Sequence, residues 1–294
     1  MIESFLDPAG PIAEEQLWHL IKVTALTMVA VLPVFVLVPF LLWRYRYQAK
    51  RPDYDPEWER SPGLEILIWG VPFAIIGVLS FMLWRSTVAL DPYKPISGTE
   101  KPIKVQVIGL DWKWLFIYPD LKIASVGELA FPADQPVELT LTTDTVMQSF
   151  MISALAGQIY AMPGMTTKLN LLAKGTGTFQ GENTQYNGTG FHAQKFRALS
   201  MEGATFHAWV ASVSAKGRLL DEPTYGKLAE RATAKQSKAA LGLSGAPDGA
   251  LYFTLPEADI FQTVLARYRS GQPMMAHEQP GSPTYRPSGT GGTG

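Results

Sequence analysis

Residues 23–43 read VTALTMVAVLPVFVLVPFLLW, and residues 66–84 read ILIWGVPFAIIGVLSFMLW. Neither stretch carries a charge. An α-helix rises about 1.5 Å per residue, so roughly 20 apolar residues cross a hydrocarbon core about 30 Å thick, and both stretches are long enough. Pro33 and Pro39 would damage a soluble helix, but membrane helices tolerate proline more readily. Trp18 and Trp43 stand near the two ends of the first stretch, where indoles favour the interface. A secretory signal would have a shorter apolar core and a small-residue cleavage site, whereas Arg44-Tyr45-Arg46-Tyr47 follows here. Ser61-Pro62 reads as an N-cap with proline at the first helical position, and Arg85 closes the second stretch. The expectation is an N-terminal segment over 1–17 and a transmembrane hairpin over 18–90. Its helices lie at about 18–43 and 64–84, joined by a loop over 44–63.

Basic residues set the orientation. The loop holds Arg44, Arg46, Lys50, Arg51 and Arg60. The tail before His19 holds Glu3, Asp7, Glu14 and Glu15, with no Lys or Arg. The positive-inside rule puts the loop in the cytoplasm and both the N-terminus and everything after Arg85 outside, in the periplasm of a Gram-negative cell.

From about Pro102 the pattern changes to period two. Ile103, Val105 and Val107 alternate with Lys104 and Gln106, and Val137, Leu139 and Leu141 alternate with Glu138, Thr140 and Thr142. Turn signals separate such runs, among them Tyr118-Pro119-Asp120 and Met162-Pro163-Gly164. Short alternating strands between turns predict an antiparallel sandwich or barrel over 91–213. The composition then turns helical: residues 225–238 are rich in Ala, Lys, Glu and Arg, and Ile260, Phe261, Val264 and Leu265 fall at helix spacing. A helical C-terminal extension is expected over 214–269. A disordered Gly-, Pro-, Ser- and Thr-rich tail is expected over 270–294.

The 294 residues include no cysteine, and the net charge is −1. Lack of cysteine excludes disulfides, thiolate nucleophiles, zinc–thiolate sites, iron–sulfur clusters and thiolate-bridged copper. Lys and Arg are scattered without a basic stripe, so no nucleic-acid partner is expected.

Two amino-terminal spans before an extracytoplasmic sandwich resemble subunit II of heme-copper oxidases. Asp111-Trp112-Lys113-Trp114, followed by Leu115-Phe116-Ile117-Tyr118-Pro119, resembles the aromatic stretch that opens the family's cupredoxin domain. Glu65-Ile66-Leu67-Ile68-Trp69-Gly70-Val71-Pro72 resembles its second-helix signature. Val146-Met147-Gln148-Ser149-Phe150, the run from Gly157 to Met165, and Gly188-Thr189-Gly190-Phe191 resemble the quinol-oxidising branch, of cytochrome bo type. Each motif alone is weak; together they cover about residues 6–213. The fold implied is a two-helix transmembrane hairpin, an all-β cupredoxin-like sandwich and a short helical C-terminal extension.

Cytochrome c-oxidising members bind two coppers through a loop reading Cys-x-Glu-x-Cys-x-x-x-His-x-x-Met and a second His on an earlier strand. Bridging thiolates let such a pair share an electron with little reorganisation. Here the loop positions fall on Asn183, Gln185, Asn187, Phe191 and Gln194, and the earlier His position on Gln148. Only Gln185, whose counterpart binds through its backbone carbonyl, could serve. The resemblance therefore implies no metal and no cofactor in this chain. Ubiquinol would pass electrons directly to hemes in a large subunit I, which also holds one copper and reduces oxygen to water with proton translocation. Smaller membrane subunits and the bilayer are the other implied partners, and a bacterial inner membrane is the implied location. Quinol-branch members carry a lipidated cysteine near their start. None is present here, so no such anchor is expected of the chain as written.

Glu65 matches the family's glutamate at the mouth of a proton path. A carboxylate near a membrane boundary passes protons where water reaches it. The plainer reading is a macrodipole-favoured acid in a first helical turn, worth about 0.3–1 kcal/mol. His192 and His207 are expected as polar surface. Met147, Met151, Met162, Met165 and Met201 are expected as packing rather than a copper(I) site. Trp112 and Trp114 are expected to anchor or pack the domain, with Asp111 and Lys113 as surface polar groups.

A copper-containing cytochrome c oxidase subunit is the first rival, and the absence of cysteine speaks against it. Two other classes stand beside this reading. One is a membrane-tethered cupredoxin-like binding or assembly module outside any oxidase, which co-purification with a heme-bearing subunit would separate. The other is a soluble-substrate enzyme, for which the sequence offers no Ser/His/Asp context, phosphate loop or metal-ligand cluster. Gly175-Thr176-Gly177 is a hairpin turn, since no helix start follows it.

Overall fold

The computed structural model describes residues 6–47, 59–98, 100–243 and 249–287. Lys50 and Arg51 of the inter-helix loop, and residues 288–294 of the expected tail, lie outside them. The chain divides into two compact units: residues 15–91, and residues 1–14 together with 92–294.

The first unit is a pair of helices, α1 (Pro11–Arg44) and α2 (Pro62–Ala89), both long and apolar enough to cross a membrane. Helix α1 starts well ahead of residue 18, because Pro11 suits a first helical position and Glu14 in the first turn complements the macrodipole. Helix α2 starts after Ser61, with Pro62 at its first position. It continues past Arg85 until the Leu90 N–H donates to the Ser86 carbonyl. Pro33, Pro39 and Pro72 lie inside the helices. Large apolar side chains such as Phe35, Leu42, Ile66, Phe73 and Trp84 are exposed, and no residue of α2 is buried. A helix apolar on all sides needs lipid or other protein around it. Within the hairpin, His19 Nδ1 and Ser86 Oγ lie 2.8 Å apart and tie α1 to α2.

The second unit is a sandwich. Its strands are β1 (Ile103–Leu110), β2 (Lys113–Tyr118), β3 (Ile123–Val126), β4 (Glu128–Pro132), β5 (Val137–Thr143), β6 (Gln148–Ile152), β7 (Ala156–Ala161), β8 (Thr167–Leu171), β9 (Gly177–Asn183) and β10 (Lys195–Met201). There follow α3 (Gly203–Lys216), β11 (Arg218–Leu219), α4 (Glu222–Ala229), α5 (Ala234–Ala240), β12 (Leu251–Thr254) and α6 (Ile260–Arg269). One sheet runs β11-β12-β3-β2-β1-β5-β8 and the other β4-β10-β9-β6-β7. Pairing is mixed rather than purely antiparallel: β1 pairs with β5, and β10 with β4, in parallel. Alternation reports which face is buried and not the direction of the neighbour, so it could not reveal this.

The sequence in β1 and β2 explains why the sandwich carries a third layer. Val105 and Val107, with Trp114, Phe116 and Tyr118, enter the inter-sheet core with Phe150 and Phe196. There Trp114 meets Phe150 edge-on at 5.2 Å, and Phe150 stacks on Phe196 at 5.1 Å. The intervening Ile108, Leu110, Leu115 and Ile117 do not face water. They form a second core with Tyr225, Leu228, Phe253, Phe261, Val264 and Leu265 of the C-terminal region. The expected helical extension is thus also part of the sheet: β12 pairs with β3, and β11 with β12. Helix α3 begins at Gly203, inside the span expected to be sandwich. From Ser270 on, where disorder was expected, residues 270–287 lie along the domain; Tyr285 packs on the second core, and the Arg286 N–H donates to the His277 carbonyl at 2.8 Å.

The N-terminal segment belongs to this unit. The Ala9 N–H donates to the Ala154 carbonyl at 2.8 Å, and the Lys174 N–H to the Ala9 carbonyl at 2.8 Å. A side chain at Gly10 would meet the Leu172 carbonyl at 2.3 Å, so only glycine fits that approach.

Candidate functional site: a buried amide centre

The end of β9, the loop to β10, the residue before β10 and the start of β6 converge. They deliver Asn183, Asn187, Gln194 and Gln148, each at most 8% exposed. Gln194 is the hub. Its Oε1 accepts from Asn187 Nδ2 at 2.7 Å and from Asn183 Nδ2 at 3.1 Å. Its Nε2 donates to Gln148 Oε1 at 2.6 Å and to the Leu110 carbonyl at 3.2 Å. Gln148 Nε2 donates in turn to Thr145 Oγ1 at 3.0 Å and to Leu110 O at 3.2 Å. Asn183 Oδ1 accepts the backbone N–H groups of Ser149 and Gln185, at 2.9 and 3.0 Å. The Gln185 carbonyl accepts from Asn183 Nδ2 at 2.8 Å. Among the described residues only Asn187 Oδ1 in this cluster lacks a partner.

Such an arrangement is chemically quiet. A carboxamide carries no charge at any ordinary pH and presents one hard oxygen and two N–H donors. Here the side-chain oxygens of Gln148, Asn183 and Gln194 accept from neighbouring amides and backbone, so their lone pairs face N–H groups. Buried polar groups are stable only when paired in this way.

Of the six positions singled out in the sequence, Gln148, Asn183, Asn187 and Gln194 join through side chains and Gln185 through its backbone. Phe191 stays out, in the short turn Phe191–Ala193, where its ring lies 5.8 Å from Tyr186. His192 on the same turn and His207 on α3 are exposed. No group of three or more His, Cys, Asp or Glu fit to hold a metal occurs among the described residues. Met147 and Met165 are exposed, and Met151, Met162 and Met201 half-buried.

Around the centre lies a shell that sequence reasoning missed. Asp111 and Lys113, expected on the surface, are 1% and 2% exposed. Lys113 shares the face of β2 that carries Leu115 and Ile117, and the chain between α4 and α5 covers it. Lys113 Nζ donates to the carbonyls of Asp111, Glu230 and Ala232 at 2.8–2.9 Å. Burial pulls its ammonium down to about 7, opposed by the negative charges of Asp111 and Glu230. Asp111 pairs with Arg231 at 3.2 Å, and the Arg231 guanidinium lies 5.6 Å from the Trp112 ring centre. Trp112 is 8% exposed, and its Nε1 donates to the Asn187 carbonyl at 3.2 Å. A Cβ at Gly190 would stand 2.0 Å from the indole, which is why glycine follows Thr189. Trp114 points the other way, into the inter-sheet core.

Asp144, in the turn before β6, is fully buried. Arg267 of α6 approaches it at 2.6 Å, Tyr225 of α4 donates to it at 2.7 Å, and Tyr268 donates to its backbone carbonyl at 2.7 Å. Burial raises the Asp144 carboxyl above the usual range, against the pull of Arg267. Burial and the neighbouring carboxylate hold the Tyr225 and Tyr268 hydroxyls protonated, so they remain donors. No local pattern marks these residues, because Asp144 and Arg267 are far apart in the chain.

Glu65 belongs to the hairpin. It sits in the first turn of α2, half exposed, its backbone N–H donating to the Ser61 carbonyl at 2.9 Å. Arg60 Nε lies 3.5 Å from its Oε1.

No family model matches the chain. The cytochrome bo(3) ubiquinol oxidase subunit 2 of Pseudomonas putida is 38% identical over 282 residues, covering 95% of this chain and 85% of that protein. The ubiquinol oxidase subunit 2 of Acetobacter aceti is 38% identical over 271 residues, covering 92% and 84%. Among solved structures, the periplasmic domain of subunit II of the Bradyrhizobium japonicum cytochrome oxidase is 21% identical, with a TM-score of 0.38, covering 41% of this chain and 99% of that one. With that identity sustained over nearly the whole chain, hairpin and sandwich alike, the protein belongs to the subunit 2 family of ubiquinol oxidases.

Proposed function

We propose that this chain is the copper-free second subunit of an inner-membrane ubiquinol oxidase, and that electrons bypass it. The amide centre carries the reading. At the positions where the resemblance places dicopper ligands stand four mutually hydrogen-bonded carboxamides. This donor set does not fit a dicopper pair: it has no thiolate to bridge two coppers and no imidazole. Ubiquinol then delivers electrons to hemes in the large subunit, which also holds one copper. The relatives' names support the substrate. The large subunit and smaller membrane subunits supply the surroundings that the two helices need.

The basic residues Arg44, Arg46 and Arg60 at the loop end of the hairpin support a cytoplasmic position for that end, with the sandwich and the N-terminus in the periplasm. Glu65 then lies at the cytoplasmic boundary and takes up protons for the oxygen site. Its exposure and its place in a first turn, where water can reach it, support that role.

Oxygen uptake by the complex isolated through this chain tests the reading, with reduced quinol and then reduced cytochrome c as donors. Rapid, cyanide-sensitive uptake with quinol alone is expected. Uptake with cytochrome c would overturn the bypass, and material without heme or uptake would leave a tethered binding module. Glu65→Gln is expected to slow quinol turnover; unchanged turnover would remove Glu65 from the proton path.

A further inference from the structure

We propose that Arg60 is a positioning residue for proton uptake, acting through Glu65 alone; this rests on the reading of Glu65 given above. The two side chains are joined across the start of α2, with Arg60 Nε 3.5 Å from Glu65 Oε1. Between them run Ser61, Pro62, Gly63 and Leu64, and Ser61 makes no side-chain cap. The first turn of α2 therefore keeps its backbone donors uncapped by a serine hydroxyl.

The chemistry of uptake sets two demands on a collecting carboxylate. It must be ionised when a proton arrives from water, and it must stand at the water's edge rather than fold along an apolar helix. Ile66, Leu67, Ile68 and Trp69 follow it directly, so an untethered side chain has an apolar surface to lie on. Arg60 answers the second demand: its guanidinium, itself 76% exposed, lies against the carboxylate and draws it toward water. The pair is exposed enough for its coupling to be modest, which suits a group that must release each proton onward. A buried pair would hold the carboxylate too firmly to cycle.

The test is quinol-driven turnover of the intact complex in a two-by-two set: Arg60→Ala and Arg60 unchanged, each with Glu65 and with Glu65→Gln. With Glu65 present, Arg60→Ala is expected to lower kcat by up to about 5-fold, the range of an exposed ion pair, with KM for quinol unchanged. Arg60→Lys is expected to restore most of the loss, since a point charge suffices. In the Glu65→Gln background, Arg60→Ala is expected to cost nothing further. An Arg60→Ala enzyme with wild-type kcat overturns the proposal. So does an equal loss in both backgrounds, which would mean a structural role. If Glu65→Gln itself leaves kcat unchanged, the proton-uptake reading fails first, and the proposal with it.

Discussion

Replacing Gln194 by leucine removes the hub of the amide centre while nearly keeping its volume. Two buried groups then lose their only partner: Asn187 Nδ2, which donates solely to Gln194, and Gln148 Oε1, which accepts solely from it. Asn183 Nδ2 keeps the Gln185 carbonyl, and the Leu110 carbonyl keeps Gln148 Nε2. Each orphaned buried polar group costs about 1–3 kcal/mol, so Gln194→Leu should destabilise the domain by about 2–6 kcal/mol. That is a large share of the roughly 5–15 kcal/mol that holds a typical domain folded. Gln148→Leu is the control. It orphans at most the Thr145 hydroxyl, since Gln194 Nε2 still reaches Leu110, so it should cost about 1–3 kcal/mol. The assay is urea unfolding of the detergent-solubilised chain, followed by the fluorescence of Trp112 and Trp114, which adjoin the centre and the core. A Gln194→Leu protein within about 1 kcal/mol of wild type, or one less affected than Gln148→Leu, would refute the network as a supporting structure.

Arg267→Ala leaves the buried Asp144 carboxylate without its counter-charge and should cost about 3–5 kcal/mol. Adding Asp144→Asn should recover part of the loss, and thermal unfolding of wild type and the two variants checks both statements. Lys113 yields a pH dependence. Its folded-state value near 7 lies below the unfolded 10.5, so between those limits the unfolded chain holds a proton that the folded chain has released. Stability therefore rises with pH across that window, by at most about 1.4 kcal/mol per pH unit, and Lys113 adds no slope below about 7, where both states are charged. Unfolding of wild type and Lys113→Met at pH 7 and 9 reads this directly; equal slopes would refute it.

Much of the fold was legible because its signals are local. An uncharged run long enough to span a bilayer announces itself, and so does alternation in β1 and β5. The resemblance carried by residues 65–72 and 111–119 then named the architecture, and sequence identity to ubiquinol oxidase subunits bears out the family. The candidate site was legible only as a set of positions. The resemblance singled out Gln148, Asn183, Asn187 and Gln194 without saying what they touch; their geometry says that they bond to one another. Asp111 and Lys113 were misread because polar residues beside aromatic ones normally face water. Here a segment more than a hundred residues later covers them. Residues 251–254 are too short for a strand period to stand out, so β12 was read as part of a helical region.

Two apolar runs long enough to span a bilayer, the sandwich class and the absence of any thiolate could be read without the fold. These follow from composition and short-range periodicity, which need no knowledge of what touches what. Only the tertiary structure decided that the C-terminal region is a third layer, that Lys113 is caged by three carbonyls, that Arg267 neutralises Asp144, and that four amides close on Gln194. Each of these depends on contacts between residues distant in the chain. Burial turns such contacts into obligations, since a polar group out of water must find its partner wherever the fold brings one.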